Sequence, residues 1–397
     1  MLVGCEQRGG RGGLRTLAAV RLAIIGPAHP YKGGIVHHTT ELAHRLTAAG
    51  HEVCIESWSQ QYPERLYPGE QRVSEHEVAP HPCTRYPLSW RRPDSWWRLG
   101  RRLRHEVEAV VLVVVTPVQV PAYLVVLAAL SRGSRGRRVR TLALCHNVLP
   151  HEPSRVDRPL VTALLRQVDA VLVHGERERA LAAGMTRSPV RVVPMAPHSP
   201  TDRPAQLLPA DRPACRRLLF FGLVRPYKGL DVLLRAVAAG PPGVALTVAG
   251  EFWGGVEPYQ QLAEALGVGD RVEWRPGYLP AAELPALLAG ADAMVLPYRS
   301  ATASQNVDLA FSHGLPVVVS RTGALADGVR DGVDGLVVEP EDEAALAAAL
   351  VELYAPGRLT ALRQGVLAAD TAAATATAWE QYLSAVETCL APTGDGS

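Results

Sequence analysis

Twice along this chain a short apolar run ends in a glycine-bearing loop that hands over to a helical pattern. The first copy is RLAIIGPAHPYKGGIVHHTTELAHRLTAAGHEVCI, residues 21–55, and the second is RRLLFFGLVRPYKGLDVLLRAVAAG, residues 216–240. In the first copy Gly50 stops the helix and a new apolar run follows, completing a βαβ unit. Further apolar runs at RTLALCHN, AVLVHG, ALTVAGE, RVEWRPGY, AMVLPY and LPVVVS continue the series. Helices are expected between them, around Gln260–Leu266, Leu284–Ala289 and Asp342–Tyr354. Strands that alternate with helices form parallel sheets covered on both faces, with ligand loops at the carboxyl ends of the strands. Between the two series lies PMAPHSPTDRPAQLLPADRPA, residues 194–214, which is proline-rich and has no apolar period. The fold expected is α/β, with two doubly wound Rossmann-like domains facing across a cleft.

At 397 residues the chain is too long for one ordinary core, which agrees with two domains. A formal net charge of +2, without aromatic and basic interleaving of the kind that reads single strands, argues against a general nucleic-acid binder. The six cysteines are widely separated and form no C-x-x-C pair, so neither a zinc site nor a redox motif is indicated, and a reducing, cytoplasmic setting is the simplest reading. Residues 1–19 hold no apolar stretch long enough for a signal peptide and are read as a tail, as are residues 392–397. The segment AVVLVVVTPVQVPAYLVVLAALS, residues 109–131, has the length of a membrane span. Thr116, Pro117, Gln119 and Pro121 interrupt it, so it reads as a buried strand, Val110–Val115, followed by a core helix, Pro121–Leu130.

Lys32 and Lys228 are the only lysines; every other one of the 41 basic side chains is arginine. A chain so biased towards arginine is expected to keep lysine only where arginine will not serve. Both lie in the glycine-bearing loops of the repeated unit, one per domain.

The strings FGLVRPYKGLDVLLRA, LTVAGE, GLPVVVS and GVDGLVVEPED resemble the nucleotide-sugar half of the glycosyltransferase family 4 enzymes of GT-B fold. GPAHPYKGG, TELAHRLTAAGHEV and CHNVLPHE are similar to their acceptor half, and the likeness runs from about residue 20 to 391. The resemblance implies an acceptor-binding domain over 20–200, a nucleotide-sugar-binding domain over 201–375, and a helix over 376–391 packing back on the first domain. Arg225 and Lys228 resemble the family's diphosphate-binding pair, with Gly222 and Gly229 letting the backbone come close to the phosphates. Gly33 and Gly34 resemble the first glycine loop near the transferred sugar, with Lys32, a weak acceptor candidate, beside them. His146 matches a histidine that contacts the donor sugar near the reacting carbon; at a strand end it is expected to point into the cleft. Asn147 and Glu152 are acceptor candidates. His37 and His38 are read as helix surface, with His37 a weak acceptor candidate.

One departure matters. Many family 4 enzymes carry two glutamates eight positions apart just before GLPVV, and here those places are Ala301 and Leu309. The local string YRSATASQNVDLAFSHGLPVVVS looks like a variant loop in which Ala303, Ser304, Gln305 and Asn306 meet the sugar-phosphate, chiefly through N–H groups at a helix start. Asp308, one residue before the second lost glutamate, is turned about 100° from it on a helix and is a poor substitute. Gly277 and Tyr278 are expected to read the base through backbone groups, and Glu251 lines the same cleft.

The implied reaction moves a sugar from a nucleotide diphosphate-sugar to an acceptor hydroxyl with retention at the anomeric carbon. No D-x-D motif or ligand-spaced cluster appears, so no metal and no cofactor is expected. A GT-B epimerase or phosphorylase, and a binding subunit needing a partner transferase, are the alternatives. Between Arg85 and Arg140 twelve arginines face only Asp94, Glu106 and Glu108, with Trp90, Trp96 and Trp97 nearby. Such a region suits peripheral contact with an anionic membrane and a lipid-linked acceptor at the inner face of the cytoplasmic membrane. Solvated helix faces give the same counts, and an acceptor sugar or small molecule remains open.

Overall fold

The computed structural model describes residues 19–61, 72, 79–132, 138–150, 154–198, 208–301, 305–369 and 371–391. The first series of apolar runs builds a seven-stranded sheet from β1 (Arg21–Ile25), β2 (Glu52–Gln60), β3 (Thr84–Ser89), β4 (Ala109–Val114), β5 (Arg140–Cys145), β6 (Ala170–Val173) and β7 (Val190–Val192). Helices α1 (Gly34–Ala48), α2 (Pro93–Glu106), α3 (Val120–Ser131), α4 (Asp157–Leu165) and α5 (Glu176–Ala183) connect them. The order is β3-β2-β1-β4-β5-β6-β7, and every pairing is parallel.

The second series gives a six-stranded parallel sheet, β10-β9-β8-β11-β12-β13. Its strands are β8 (Arg217–Phe221), β9 (Ala245–Gly250), β10 (Val272–Pro276), β11 (Ala293–Leu296), β12 (Val317–Ser320) and β13 (Gly335–Val338). Helices α6 (Leu230–Ala239), α7 (Glu257–Ala265), α8 (Leu284–Ala289), α9 (Gln305–Ser312), α10 (Glu343–Leu353) and α11 (Arg358–Ala368) accompany it. In each sheet the strand order reverses beside the first strand, between β1 and β4 and between β8 and β11. Such reversals open the crevice in which doubly wound sheets bind ligands. The loops carrying Lys32 and Lys228 both leave from these points.

The apolar run at 109–131 splits into β4 and α3, and all six residues of β4 are buried because helices cover both faces of the sheet. Among the described residues no single helix is long and apolar enough to cross a membrane. The chain's last helix, α12 (Thr371–Leu390), returns to the first sheet. Its Trp379, Tyr382, Val386 and Leu390 pack with Leu22, Leu42, Leu142 and Leu172, and the Trp379 indole donates to the carbonyl of Pro197 at 2.6 Å.

Two features depart from the sequence expectation. Cys54 and Cys83, 29 residues apart, form a disulfide. Parallel pairing of β2 with β3 sets Ile55 against Thr84, so the residues just before them lie side by side, with Cα atoms 4.8 Å apart, the lateral spacing of neighbouring strands. His37 and His38, expected on the helix surface, are 8% and 0% exposed. The first turns of α1 press against the ends of β5 and β6 and against α12, so this face points inward. The His38 ring stacks on Trp379 at 5.4 Å and lies 5.1 Å from His146, 5.9 Å from His198 and 6.2 Å from His174. Burial, reinforced by repulsion between the rings, drives His38 and His146 well below the usual histidine range. Burial brings His174 to about 4 and His198 to about 3.

These imidazoles are neutral in the folded chain, and the unfolded chain, with histidines near about 6.5, binds more protons. Their contribution to stability is therefore complete above about pH 6.5 and is lost as pH falls toward about 4. Replacing His38 by phenylalanine keeps a ring beside Trp379 and removes one proton site. Urea unfolding of parent and variant from about pH 7 to about pH 5 should show the variant losing less stability; parallel curves would mean that His38 does not contribute.

Candidate active site

After β8 the chain runs through Gly222 to Arg225, makes a single helical turn at Pro226–Lys228 and enters α6 through Gly229. Gly222 (φ 106°) and Gly229 (φ 68°) hold conformations that favour glycine, but for different ends. A Cβ on Gly229 would lie 2.1 Å from the carbonyl oxygen of Pro297, so this glycine lets the loop pack on the segment after β11 rather than admit a phosphate. A Cβ on Gly222 would meet Lys228 Nζ at 3.5 Å and Asn306 Nδ2 at 3.6 Å. Gly222 thus keeps the space between those groups clear. Its N–H donates to Ala249 O and that of Gly277 to Gly250 O, both at 3.0 Å, so the Gly277 N–H is committed within the sheet and not offered to a base.

Two cations stand on this loop, and Lys228 borders the space. The Arg225 guanidinium lies 4.5 Å from the Trp253 ring, and the Lys228 ammonium lies 5.1 Å from that of Tyr298. Aromatic faces attract cations while excluding water. Burial pushes the Lys228 ammonium below the ordinary lysine range, and the charge of Arg225 acts in the same direction. A bound anion would relieve both effects.

The loop is fixed from behind by Arg299, a residue that no sequence motif marked. It donates to Pro226 O at 2.6 Å and to both carboxylate oxygens of Asp231 at 2.9 and 2.6 Å, while its own N–H donates to Tyr227 O at 2.7 Å. Burial alone would raise the Asp231 carboxyl; the hydrogen bonds and charge of Arg299 hold it below its usual range.

The first domain supplies the facing wall. Gly33, at the start of α1 with φ 110°, and Gly34 are exposed, and a Cβ on Gly33 would touch nothing within 4 Å. Lys32, expected to meet an acceptor, instead reaches across the cleft: its ammonium forms an ion pair with Glu251 and lies 5.0 Å from the Tyr278 ring. Glu251 O accepts from Val224 N–H at 2.7 Å, next to Arg225. Both lysines of the chain are thus enclosed against a tyrosine face at one cleft.

Other sequence candidates fall differently. Asn306 uses its side chain to donate to Phe221 O at 2.9 Å and to the Tyr298 hydroxyl at 3.3 Å, bracing the Lys228 pocket. Gln305 Oε1 accepts from His198 N–H at 3.1 Å, tying α9 to the interdomain segment. Ala303, Ser304 and Glu152 lie outside the described residues. Ala301 and Leu309 are buried in an apolar cluster, and burial raises the Asp308 carboxyl to about 7. His146 ends β5 but does not point into an open cleft. It is 5% exposed, with Nδ1 3.3 Å from His174 Nε2, because it continues the face on which Leu142 and Leu144 meet α12. His198 lies between this histidine layer and the glycine loop, its Nε2 3.6 Å from a Cβ placed on Gly34. His37, 6.0 Å from His198, belongs to the same layer, and Asn147 is half-buried beside it. Among the described residues no three His, Cys, Asp or Glu side chains are arranged to hold a metal ion.

Two family models divide the chain between them. Residues 32–196 match the one described as Glycosyltransferase Family 4, and residues 215–356 match Glycosyl transferases group 1. The chain belongs to glycosyltransferase family 4. This family 4 glycosyltransferase is 28% identical over 372 residues to the GDP-mannose-dependent alpha-(1-6)-phosphatidylinositol monomannoside mannosyltransferase of Mycolicibacterium smegmatis, with 86% of this chain and 90% of that one covered. It is 38% identical over 164 residues to the D-inositol 3-phosphate glycosyltransferase of Segniliparus rotundus, a match that takes in 39% of this chain and 36% of that relative's length. Its fold is similar to that of sucrose-phosphate synthase from Thermosynechococcus elongatus, with TM-score 0.68, 19% identity, and 93% and 99% of the two chains covered. Anabaena HepE in complex with UDP and glucose is comparable, with TM-score 0.67, 14% identity, and 93% and 100% covered. Likeness at these identities is one of fold, the GT-B arrangement of two parallel sheets.

The cation pair should act on a bare anion. Calorimetric titration with inorganic pyrophosphate is expected to show binding that falls at least about tenfold in Arg225→Ala and in Lys228→Ala, the loss for one charge-assisted contact. Unchanged affinity in both would place anion binding elsewhere.

Proposed function

We propose that this family 4 glycosyltransferase moves a sugar from a nucleotide diphosphate-sugar to an acceptor hydroxyl, with retention and without a metal ion. The observation that carries the reading is the pairing on one loop of Lys228, which borders the space kept clear by Gly222, with Arg225, each cation set against an aromatic ring. As the bond between the anomeric carbon and the phosphate oxygen breaks, the nucleoside diphosphate gains charge. Fixed cations at that place favour the transition state over the ground state and can do for the diphosphate what a divalent ion does elsewhere.

Retention by double displacement needs a carboxylate on the far face of the sugar. The two positions where family relatives carry glutamates are here buried apolar residues, Ala301 and Leu309, which favours same-face attack. The acceptor oxygen bonds to the anomeric carbon on the face that the diphosphate leaves, and its proton passes to the departing phosphate oxygen. The exposure of Gly33 and Gly34 at the start of α1 supports a role for N–H groups there in meeting the sugar-phosphate.

The Mycolicibacterium relative is named for GDP-mannose and a phosphatidylinositol monomannoside, which favours a GDP-sugar donor and a lipid-linked acceptor here. Membrane contact in the 85–140 region then rests on fewer charges than the sequence offers. Arg85, Arg92, Arg98, Arg102 and Arg138 are engaged by Glu56, Asp94, Glu106 and Asp169. Among the described residues, Arg91 and Arg132, which lie over Trp90 and Trp97, and the exposed Arg101 would be available to headgroups.

Incubation with UDP-, GDP- and TDP-sugars, with and without phosphatidylinositol vesicles, should give a glycosylated product of retained configuration only when acceptor is present and regardless of chelator. Lys228→Arg should lower turnover about 100-fold with unchanged melting, because the forked guanidinium does not fit where a compact ammonium does. Release of free sugar or sugar phosphate without acceptor, or parent-like turnover in Lys228→Arg, would contradict the proposal.

A further inference from the structure

We infer that Lys32 works through Glu251: it cancels a negative charge beside the anion site and, in doing so, holds the two domains together across the cleft. The inference rests on the donor-site reading above and gives Lys32 a positioning role.

Glu251 follows β9, and its backbone carbonyl accepts from Val224, the neighbour of Arg225, which ties this residue to the loop that carries the two cations of the donor-site reading. Uncompensated, that carboxylate would repel a diphosphate, and more strongly than in bulk water because the site is partly shielded from solvent. The Lys32 side chain is 4% exposed and that of Glu251 is 21% exposed, so water does little to screen the ammonium once it is seated. Lys32 belongs to the loop between β1 and α1, in the other domain, and it is seated over Tyr278 as well. The negative charge is therefore cancelled only while the domains are apposed. Separation bares Glu251 and makes the site less attractive to an anion; apposition restores it.

The same geometry accounts for lysine at position 32. The ammonium fits between a carboxylate and the face of a tyrosine ring, a place for a compact charge on a flexible stem rather than for a planar fork. Rarity of lysine thus has one structural answer in each domain.

The test is a double-mutant cycle on Lys32→Met and Glu251→Gln, read by calorimetry with GDP and UDP and by small-angle scattering without ligand. Lys32→Met should weaken nucleotide binding at least about tenfold, and the double variant should recover to within about threefold of the parent, because the repelling charge is gone. All three variants should scatter as more open particles than the parent. The exchanged pair Lys32→Glu with Glu251→Lys should restore the parent profile and controls for misfolding. Additive losses in the cycle, or parent-like nucleotide affinity in Lys32→Met, would overturn the compensating role. Parent-like scattering in Lys32→Met would overturn the domain contact. If the parent binds neither nucleotide, the donor-site reading fails, and scattering alone decides the contact.

Discussion

Lys228 is half-buried, and its ammonium is partly desolvated beside a second cation, Arg225, in a pocket shaped by Tyr298, Gly222 and Asn306. Such an arrangement is unfavourable unless the surrounding structure holds it, and much of the second domain can be understood as that support. Arg299 ties the loop's carbonyls to Asp231 on α6, so the loop cannot relax away from the cleft. The tight approach of Gly229 to Pro297 and of Gly250 to Gly222 leaves no room for a side chain at either glycine. A desolvated cation beside a second one would favour a bound anion.

The two domains communicate through contacts of different kinds. Lys32 meets Glu251 at the cleft, Gln305 binds the backbone at His198, and α12 leaves the second domain to complete the core of the first. Beneath the first glycine loop lies a layer of neutral histidines, among them His146 and His198, that packs on α12. Acid that charges this layer would disturb α12 and the floor of the glycine loop together, coupling stability to the geometry of the site.

The paired βαβ units were legible because strand and helix leave different periods in a sequence and glycine marks the loops between them. The interrupted run at 109–131 was resolved by its prolines, and the repeated lysine led to both sides of the cleft. What escaped depends on partners distant in the chain. Nothing local announces that Arg299 will bind Asp231 or that Glu251 will meet Lys32, 219 residues away. The Cys54–Cys83 bond follows from the register of β3, a strand with little apolar pattern. Polar side chains at the start of a helix, such as His37 and His38, read as solvent-facing, whereas α1 is covered on that side by α12 from the far end of the chain. His146 was placed at its strand end from the sequence, but its burial depends on the same helix.

The central claim is that Lys228 is a desolvated cation waiting for a diphosphate. With two lysines in the chain, ¹⁵N-lysine labelling gives two side-chain resonances, told apart by a Lys32→Met variant. In the empty protein the Lys228 resonance should titrate below the ordinary lysine value of about 10.4, and nucleoside diphosphate should move it upward. A Lys228 resonance that titrates at the ordinary value and ignores the nucleotide would contradict the account.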